Sequence, residues 1–507
     1  MWNDRIGNEN VGIDQVALSV MRGDSVVARN GIGIFALLAL SGAPALAAVT
    51  HHVCPDGSGD FPTIQAAIDS SASGDTIELC DGTFTSAGNW DVNLGSKELV
   101  IRSEHGYGST TVSCGTWIAP EPHRGFIIEG GQSAATVLEG ITIEGCSYQG
   151  DGGAIRCIGA SPTIRSVRIR NNSATVCRGL GIFIESGAPL IEGCVFENNF
   201  GHIGEGTAIF ARKSTPVLRR SWIAFTVAVQ GAVNLDGGTI ADCTFQHNTR
   251  FDDDHGSSIY VVGGAVTVNN CFFFSGLSTG VVVSADAGVQ VEDCVFHHLG
   301  SHGGAGSYGT GRATFRRCTF DENTSDMGPS VIAWYGGALR FEECLFTRNR
   351  SGFLESCTIQ VRNAPLEISQ CTFSSNDAYY EPGWCLAILD DSEVTIDHSI
   401  FAYGEMTGDP IKCFGTPGSL RVSCTDIFGN KGGDWVGCVA GMDGTKGNFS
   451  ADPLFCDVGA VDFHLGATSP CAPAQTGECG LIGALPVACG TTAISAKSWG
   501  SVKALYR

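Results

Sequence analysis

The chain is poor in what helices, membrane spans and nucleic-acid interfaces are made from. Only 5 Met occur in 507 residues, charged residues make up 16%, and no stretch keeps ten or more residues of helical periodicity, which excludes a helical bundle. Although Cys is abundant, at 22 residues, no Cys-x-x-Cys pair opens a zinc site. The apolar run from Gly31 to Ala43 falls short of the roughly 20 residues a membrane helix needs. Basic residues number 30 against 52 acids, a net charge of -22. That balance lacks the basic footprint of a nucleic-acid partner, and it disfavours a polyanionic ligand unless a cation such as calcium bridges the two.

The short apolar run does fit a secretory signal. Ala45-Leu46-Ala47 supplies small residues for cleavage, so residues 1–47 read as a signal peptide, with Met21, followed by Arg22 and Arg29, as an alternative start. The expected location is extracellular or at the cell surface, the periplasm being the other exported compartment, with no transmembrane segment in the mature chain.

What the chain does have is a recurring phrase, Cys-x-Phe-x-x-Asn. It is complete at Cys194/Asn199, Cys243/Asn248, Cys318/Asn323, Cys344/Asn349 and Cys371/Asn376, and it lacks only the Asn at Cys271 and Cys294. With degenerate copies beginning at Cys146, Val167, Ser221, Ser399 and Cys424, twelve anchors recur every 21 to 28 residues, about 25 on average. A period of that size signals a solenoid; a propeller blade needs about 40 to 50 residues. The copy at Gly181 to Asn199 contains short strands separated by Gly187-Ala188-Pro189 and Asn198-Asn199 turns. Stacked as parallel strands, successive coils would set Cys on Cys and Phe on Phe. The Asn, at Asn199, Asn248, Asn323, Asn349 and Asn376, would stand at a corner, where it tolerates the left-handed conformation and its amides bond up and down a ladder. The expected fold is all-β: a right-handed parallel β-helix of about twelve or more coils, roughly 55 to 60 Å long at about 4.8 Å per coil.

Two Cys populations follow. Those from Cys146 through Cys371 sit at an inward repeat position and read as packing thiols, while Cys54, Cys80, Cys413, Cys438, Cys456, Cys471, Cys479 and Cys489 lie outside the period and read as disulfide candidates. A stacked sheet must also be capped. Asp56 to Asp69 offers a Gly-rich turn and a short helix with Ile64, Ala67 and Ile68 on one face, and Gly74 to Leu79 reads as the first strand. The organisation is then signal 1–47, amino-terminal cap and first coil 48–95, β-helix 96–455, Cys-rich cap 456–490 and tail 491–507.

These coils, with the Asp56-Gly57-Ser58-Gly59-Asp60-Phe61 cap, resemble the pectin-lyase-like superfamily and its secreted bacterial right-handed parallel β-helix repeat proteins, over roughly residues 53 to 455. The resemblance implies polysaccharide lyases, glycoside hydrolases, carbohydrate esterases or non-catalytic surface proteins, and fold analogy does not choose among them. The cap is most similar to that of pectin methylesterases, but their Gln-Asp pair and Leu-Gly-Arg-Pro-Trp segment have no match here.

Candidate sites are the departures from the phrase. Asp252, Asp253, Asp254 and His255 share one loop beside Arg250; a calcium-dependent lyase would use Asp252 and Asp254 as cation ligands and Arg250 as base. A solvated acidic loop is the plainer reading, because sequential acids point in different directions. His297, His298 and His302 form a second polar group, read as turn histidines more readily than as a metal site. Trp334, Tyr335, Tyr379, Tyr380 and Trp384 lie between anchors and would offer faces on which sugar rings stack. The chain therefore reads as an exported monomer that binds or processes extracellular polysaccharide or a cell-surface glycan. The alternative is a non-catalytic structural or adhesive surface protein.

Overall fold

The structure is a computed structural model and describes residues 47–115, 121–249, 257–276, 279–284, 286–300, 304–326, 328–352, 356–380, 382–415 and 417–489. The chain divides into residues 1–47 and 48–507, and only the second unit is described below. It is a right-handed solenoid of about 13 turns. Each turn lays one short strand into each of three parallel sheets, a first of 15 strands, a second of 13 and a third of 14. In one coil, Ile182–Glu185 joins the second sheet, Leu190–Glu192 the first and Val195–Glu197 the third. The first strand is Thr50–Val53, which pairs in parallel with Thr76–Leu79, so the solenoid begins one strand earlier than the sequence suggested. The capping helix runs Ile64–Ser70, with Thr63 Oγ1 accepting from the Ala66 N–H at 3.2 Å and Ile64, Ala67 and Ile68 buried. No described helix is long and apolar enough to cross a membrane.

All strands of the third sheet but Thr110–Ser113 are only three residues long, and in the regular coils a left-handed residue stands near each end. Asp242, Arg317 and Glu343 precede such strands with φ of 54°, 49° and 54°, and His247, Glu322 and Arg348 follow them with φ of 48°, 52° and 53°. The repeat Asn was expected at the left-handed corner. The residue before it takes that conformation instead: Asn198, His247, Glu322, Arg348 and Ser375 precede Asn199, Asn248, Asn323, Asn349 and Asn376. The Asn side chain turns inward and builds an amide ladder. Asn349 Nδ2 donates to Phe320 O at 2.9 Å and to Asn376 Oδ1 at 3.0 Å, while Asn349 Oδ1 accepts from Asn323 Nδ2 at 3.0 Å. Beside it Phe296, Phe320, Phe346, Phe373 and Phe401 stack in register, with ring centroids 4.3 to 4.8 Å apart and nearly parallel planes.

Asn248 is a correction to that ladder, because it is a buried corner residue that stacks on no other Asn. Register sets Thr226 one coil before it and Gly276 one coil after, so neither neighbour carries a side-chain amide. Its Oδ1 accepts from the Thr226 hydroxyl at 2.8 Å, and its Nδ2 donates to Ile223 O at 3.0 Å, which keeps the backbone half of the pattern. Asn199 instead accepts from Asn172 Nδ2 at 2.9 Å, so the Asn-on-Asn links fall into two runs, Asn172–Asn199 and Asn323–Asn349–Asn376, with Asn248 in neither.

Register also corrects both ends of the repeat. Ile169 pairs with Ile143, so the first anchor is Ile141, 26 residues before Val167, and Cys146 falls at the Asn position. There its N–H donates to Asn172 Oδ1 at 2.8 Å, and its sulfur bonds to Cys114 instead of packing as a free thiol. At the other end Phe401 pairs with Ile427, which places Thr425 in the anchor column and Cys424 on a left-handed corner with φ 45°. A slip of one residue turns a side chain to the opposite face. Cys424 is thereby free to bond to Cys479.

Three further disulfides join Cys54 to Cys80, Cys413 to Cys438 and Cys456 to Cys489. Cys471, expected in a disulfide, is a free buried thiol, as are Cys194, Cys243, Cys271, Cys294, Cys318, Cys344 and Cys371 in the anchor column.

On the outer face of the first sheet, register stacks charges of alternating sign. Glu78, Arg102, Glu139, Arg165, Glu192 and Arg219 form one column, with ion pairs of 2.8 Å for Arg102–Glu78, 2.7 Å for Arg165–Glu139 and 3.0 Å for Arg219–Glu192. Singly such exposed pairs contribute roughly 0 to 1 kcal/mol. As a column they avoid the like-on-like repulsion that in-register stacking would otherwise impose.

The carboxyl-terminal cap covers the last strand of the third sheet, Asp426–Phe428. Asp426 is fully buried there, its Oδ1 accepting from the Ala451 N–H at 3.1 Å and its Oδ2 from the Cys471 thiol at 3.3 Å. Burial pushes its pKa up to about 7, reinforced by Asp434 and Asp452 and partly offset by those two hydrogen bonds.

Truncating Phe346 to Ala opens a gap between Phe320 and Phe373 and is expected to destabilise the solenoid by about 3 to 5 kcal/mol in chemical denaturation. Asn349→Ala strands the Phe320 carbonyl and the Asn323 amide and should cost about 1 to 3 kcal/mol in the same measurement. The folded Asp426 carboxyl keeps its proton up to about pH 7, whereas the unfolded chain releases it near its ordinary 3.8. The folded state therefore binds more protons across that interval, and Asp426 lowers stability progressively as pH rises through it, with no further change above. Asp426→Asn should remove this contribution and raise the unfolding midpoint at pH 8; an unchanged or lower midpoint would contradict the buried-carboxyl account.

Candidate functional site

The sequence-derived candidates do not assemble into one site. Residues 250–256, which hold Arg250, Asp252, Asp253, Asp254 and His255, lie outside the described residues, as does His302. Trp334 is corrected from a sugar platform to core: it is 0% exposed, lies on an inner row of the second sheet, and its indole N–H donates to Gly337 O at 2.7 Å. Tyr335 is half-buried, with its hydroxyl 3.0 Å from Gln360 Oε1. Trp384 is also half-buried, edge-on to Phe414 at 5.0 Å. Tyr379 and Tyr380, 45% and 55% exposed, stand on a loop after the third sheet, where the Arg350 guanidinium lies 4.1 Å over the Tyr379 ring.

On the outer face of the third sheet, Phe274 and His297 stack at 5.6 Å, and Phe225 and His247 at 5.0 Å. His297 Nδ1 lies 3.1 Å from Asp321 Oδ2 and its Nε2 3.8 Å from Glu322 Oε2. Arg348 clamps Asp321 with contacts of 3.0 and 2.6 Å and reaches Glu322 at 2.9 Å. His297 and Arg348 hold the Asp321 carboxylate below its ordinary range against the opposing effect of burial. His297, Asp321 and Glu322 are close enough to share a cation, but the Arg348 guanidinium already occupies both acids, so the cluster is an ion-pair network. His298 is an exposed turn residue with φ 54°.

The one place, among the described residues, where the coil widens into an extra three-stranded sheet lies before the second sheet. Gly150–Asp151, Ser173–Arg178 and Phe200–Glu205 form this fourth parallel sheet. Gly179 turns its middle strand toward Ile182–Glu185 with φ 58°, and a Cβ there would lie 2.4 Å from Ile182 O, so only Gly fits. The outer faces of the two sheets meet at an angle, since the Arg178 guanidinium lies 5.9 Å over Phe183 and 5.6 Å over Phe210 of the second sheet.

A cleft of about 330 Å³ lies along this fourth sheet. Register places Asp151, Arg178 and Glu205 in one outward column, continued by Gln230 through an isolated bridge. Arg178 holds Asp151 through two contacts, at 2.7 and 2.9 Å. Val176 and Ile203, 53% and 58% exposed, stack as an apolar pair beside it, and Val229 lines the cleft one position out of their register. On the adjoining second sheet, Arg212 pairs with Glu185 at 2.9 Å and lowers that carboxyl's pKa. Asn234, one coil beyond Phe210, is 1% exposed, and neither its amide nitrogen nor its oxygen has a partner. Its neighbour Tyr260 is half-buried, and burial together with the Glu205 charge raises its pKa.

None of the cleft residues was singled out from the sequence. The available signal was spacing: Asp151 and Arg178 are 27 residues apart, as are Glu185 and Arg212, one coil in each case.

Among solved structures, the catalytic unit of the GH87 alpha-1,3-glucanase from Streptomyces thermodiastaticus strain HF3-3 is 15% identical, covering 70% of this chain and 69% of that chain with a TM-score of 0.39. The A-module of the Azotobacter vinelandii mannuronan C-5 epimerase AlgE4 is 11% identical, covering 73% and 100% with a TM-score of 0.34. PfbA, a surface adhesin of Streptococcus pneumoniae, is 10% identical, covering 73% and 85% with a TM-score of 0.24. No curated protein matches the chain. The family described as right handed beta helix region matches residues 118–273 and 233–427, an unbroken span of more than half the sequence. The in-register sheets and that match agree, and the chain is a member of the right-handed β-helix family.

Proposed function

We propose that the protein binds a linear saccharide polymer in the cleft along the fourth sheet. The observation that carries this reading is the polar column Asp151–Arg178–Glu205–Gln230, advancing one residue per coil, beside the exposed apolar pair Val176 and Ile203. Polar residues stacked about every 4.8 Å present hydrogen-bonding groups to successive units of a polymer. A sugar ring offers a hydroxyl edge for the polar column and a C–H face for the apolar pair, the division of labour expected of a ligand cleft.

The arrangement suits holding more than cutting. General acid catalysis requires a carboxyl that can deliver a proton, and both oxygens of Asp151 are engaged by Arg178. Asp426, whose pKa is pushed up to about 7, is sealed beneath the carboxyl-terminal cap and cannot touch a bound chain. An exported glycan-binding or glycan-adhering protein is the resulting reading.

The test titrates the full chain against neutral glucans, mannuronan and polygalacturonate by calorimetry while following reducing ends and unsaturated products. At least one polymer should bind without turnover, and Arg178→Ala and Ile203→Asp should each weaken it tenfold or more, about 1.4 kcal/mol. Absence of binding across the panel, or equal binding by both variants, sinks the proposal. Turnover that disappears in Glu205→Gln replaces binding by catalysis.

A further inference from the structure

Six coils in succession place a free thiol at one inward position, Cys243, Cys271, Cys294, Cys318, Cys344 and Cys371, each at most 3% exposed. Register stacks the six positions in one unbroken column, since each Cys directly precedes a residue paired with its equivalent one coil away, from Thr244 on Phe272 through Leu345 on Thr372. The Cys271 N–H also points at Cys294 Sγ, 3.4 Å away.

A second observation comes from the protein's own staples. Cys54 and Cys80 follow the paired residues Val53 and Leu79, so they are stacked neighbours one coil apart, and they are disulfide-bonded with Cα atoms 4.9 Å apart. Stacked positions in a parallel sheet stand about 4.8 Å apart, inside the roughly 4.4 to 6.8 Å window a disulfide spans, whereas positions two coils apart, at about 10 Å, are outside it. The five staples, moreover, lie toward the two ends. Cys54–Cys80 and Cys114–Cys146 close the first coils, the other three close the last, and among the described residues nothing covalent joins the coils between residues 146 and 413. The thiol column lies wholly within that gap.

We infer that the column is a redox-set staple which closes into three disulfides, Cys243–Cys271, Cys294–Cys318 and Cys344–Cys371, when the chain folds in the presence of a disulfide oxidant. In each closure the oxidant's S–S bond breaks and a new one forms between two neighbouring protein thiols. Those thiols give up two protons and two electrons, and the oxidant leaves as two thiols. The exchange takes place while the coils are still assembling, because the folded column is buried beyond the reach of an oxidant. The state set during folding is then kept.

The full chain is unfolded under reducing conditions and refolded in a glutathione and glutathione-disulfide buffer in which peptide mapping finds all five staples formed. It is then denatured at acid pH, labelled with N-ethylmaleimide and weighed intact. The 12 thiols that are free in the structure should fall to six labels, and mapping should find the three neighbour linkages. Cys294→Ala removes one sulfur and leaves one column partner unpaired, so seven labels are expected. Twelve labels on the wild type with the staples intact, eleven on Cys294→Ala, or linkages between thiols more than one coil apart would each overturn the inference.

Discussion

In-register parallel pairing between coils is the constraint from which the rest of the structure follows. Every strand of the three sheets bonds to its equivalent one coil away, so whatever a residue is, it lies on a residue of the same role. That geometry is permissive for some side chains and punishing for others. Phe stacks on Phe with rings nearly parallel at 4.3 to 4.8 Å, and burial of each ring supports the next. Asn can stack inside because its amide carries both donor and acceptor and can satisfy a copy of itself while bonding a backbone carbonyl. A carboxylate cannot, so acids on the surface alternate with Arg from the adjacent coil.

The same constraint makes the ends the expensive parts. Where the repeat stops, strand edges and polar groups lose their partners and irregular structure must supply them. The amino end does so with the Ile64–Ser70 helix and the Cys54–Cys80 staple. The carboxyl end uses residues with no repeat and leaves a single acid, Asp426, in the interior, held by one amide and one thiol. An acid on a corner would be solvated; here the cap closes over it, and its proton affinity rises accordingly.

Ligand recognition in a solenoid depends on departures from uniformity that are nevertheless periodic. The fourth sheet exists in only three coils, yet within them it preserves the stacking rule, and it is this that turns isolated charges into a polar column beside an apolar pair. The His297–Asp321–Arg348 group shows the contrast. There, too, charges from successive coils meet, but they neutralise one another on a sheet face without a wall beside them.

Sequence by itself determined the coil. The phrase Cys-x-Phe-x-x-Asn carries its period, the side chains that stack and the all-β class, because in-register stacking writes the same residue types at the same phase. The ends of that phrase were misread for a reason intrinsic to strands: Cys146 and Cys424 are the right residue type at the wrong phase, and a shift of one exchanges inside for outside. Asn248 was misread for a different reason, since it has the right type and phase but its partners are set by the coils on either side, which offer Thr226 and Gly276. Tertiary structure alone decided which Cys bond, which aromatics are buried and where a cleft forms. Trp334 and Tyr380 look alike as loop aromatics between anchors, yet one is an inner strand residue and the other a loop residue in solvent. Asp151, Arg178 and Glu205 were visible as charges one period apart. What placed them together along a cleft was the extra strand that each of three coils adds before its turn at the second sheet, a feature set by where neighbouring backbones pair and not by residue type.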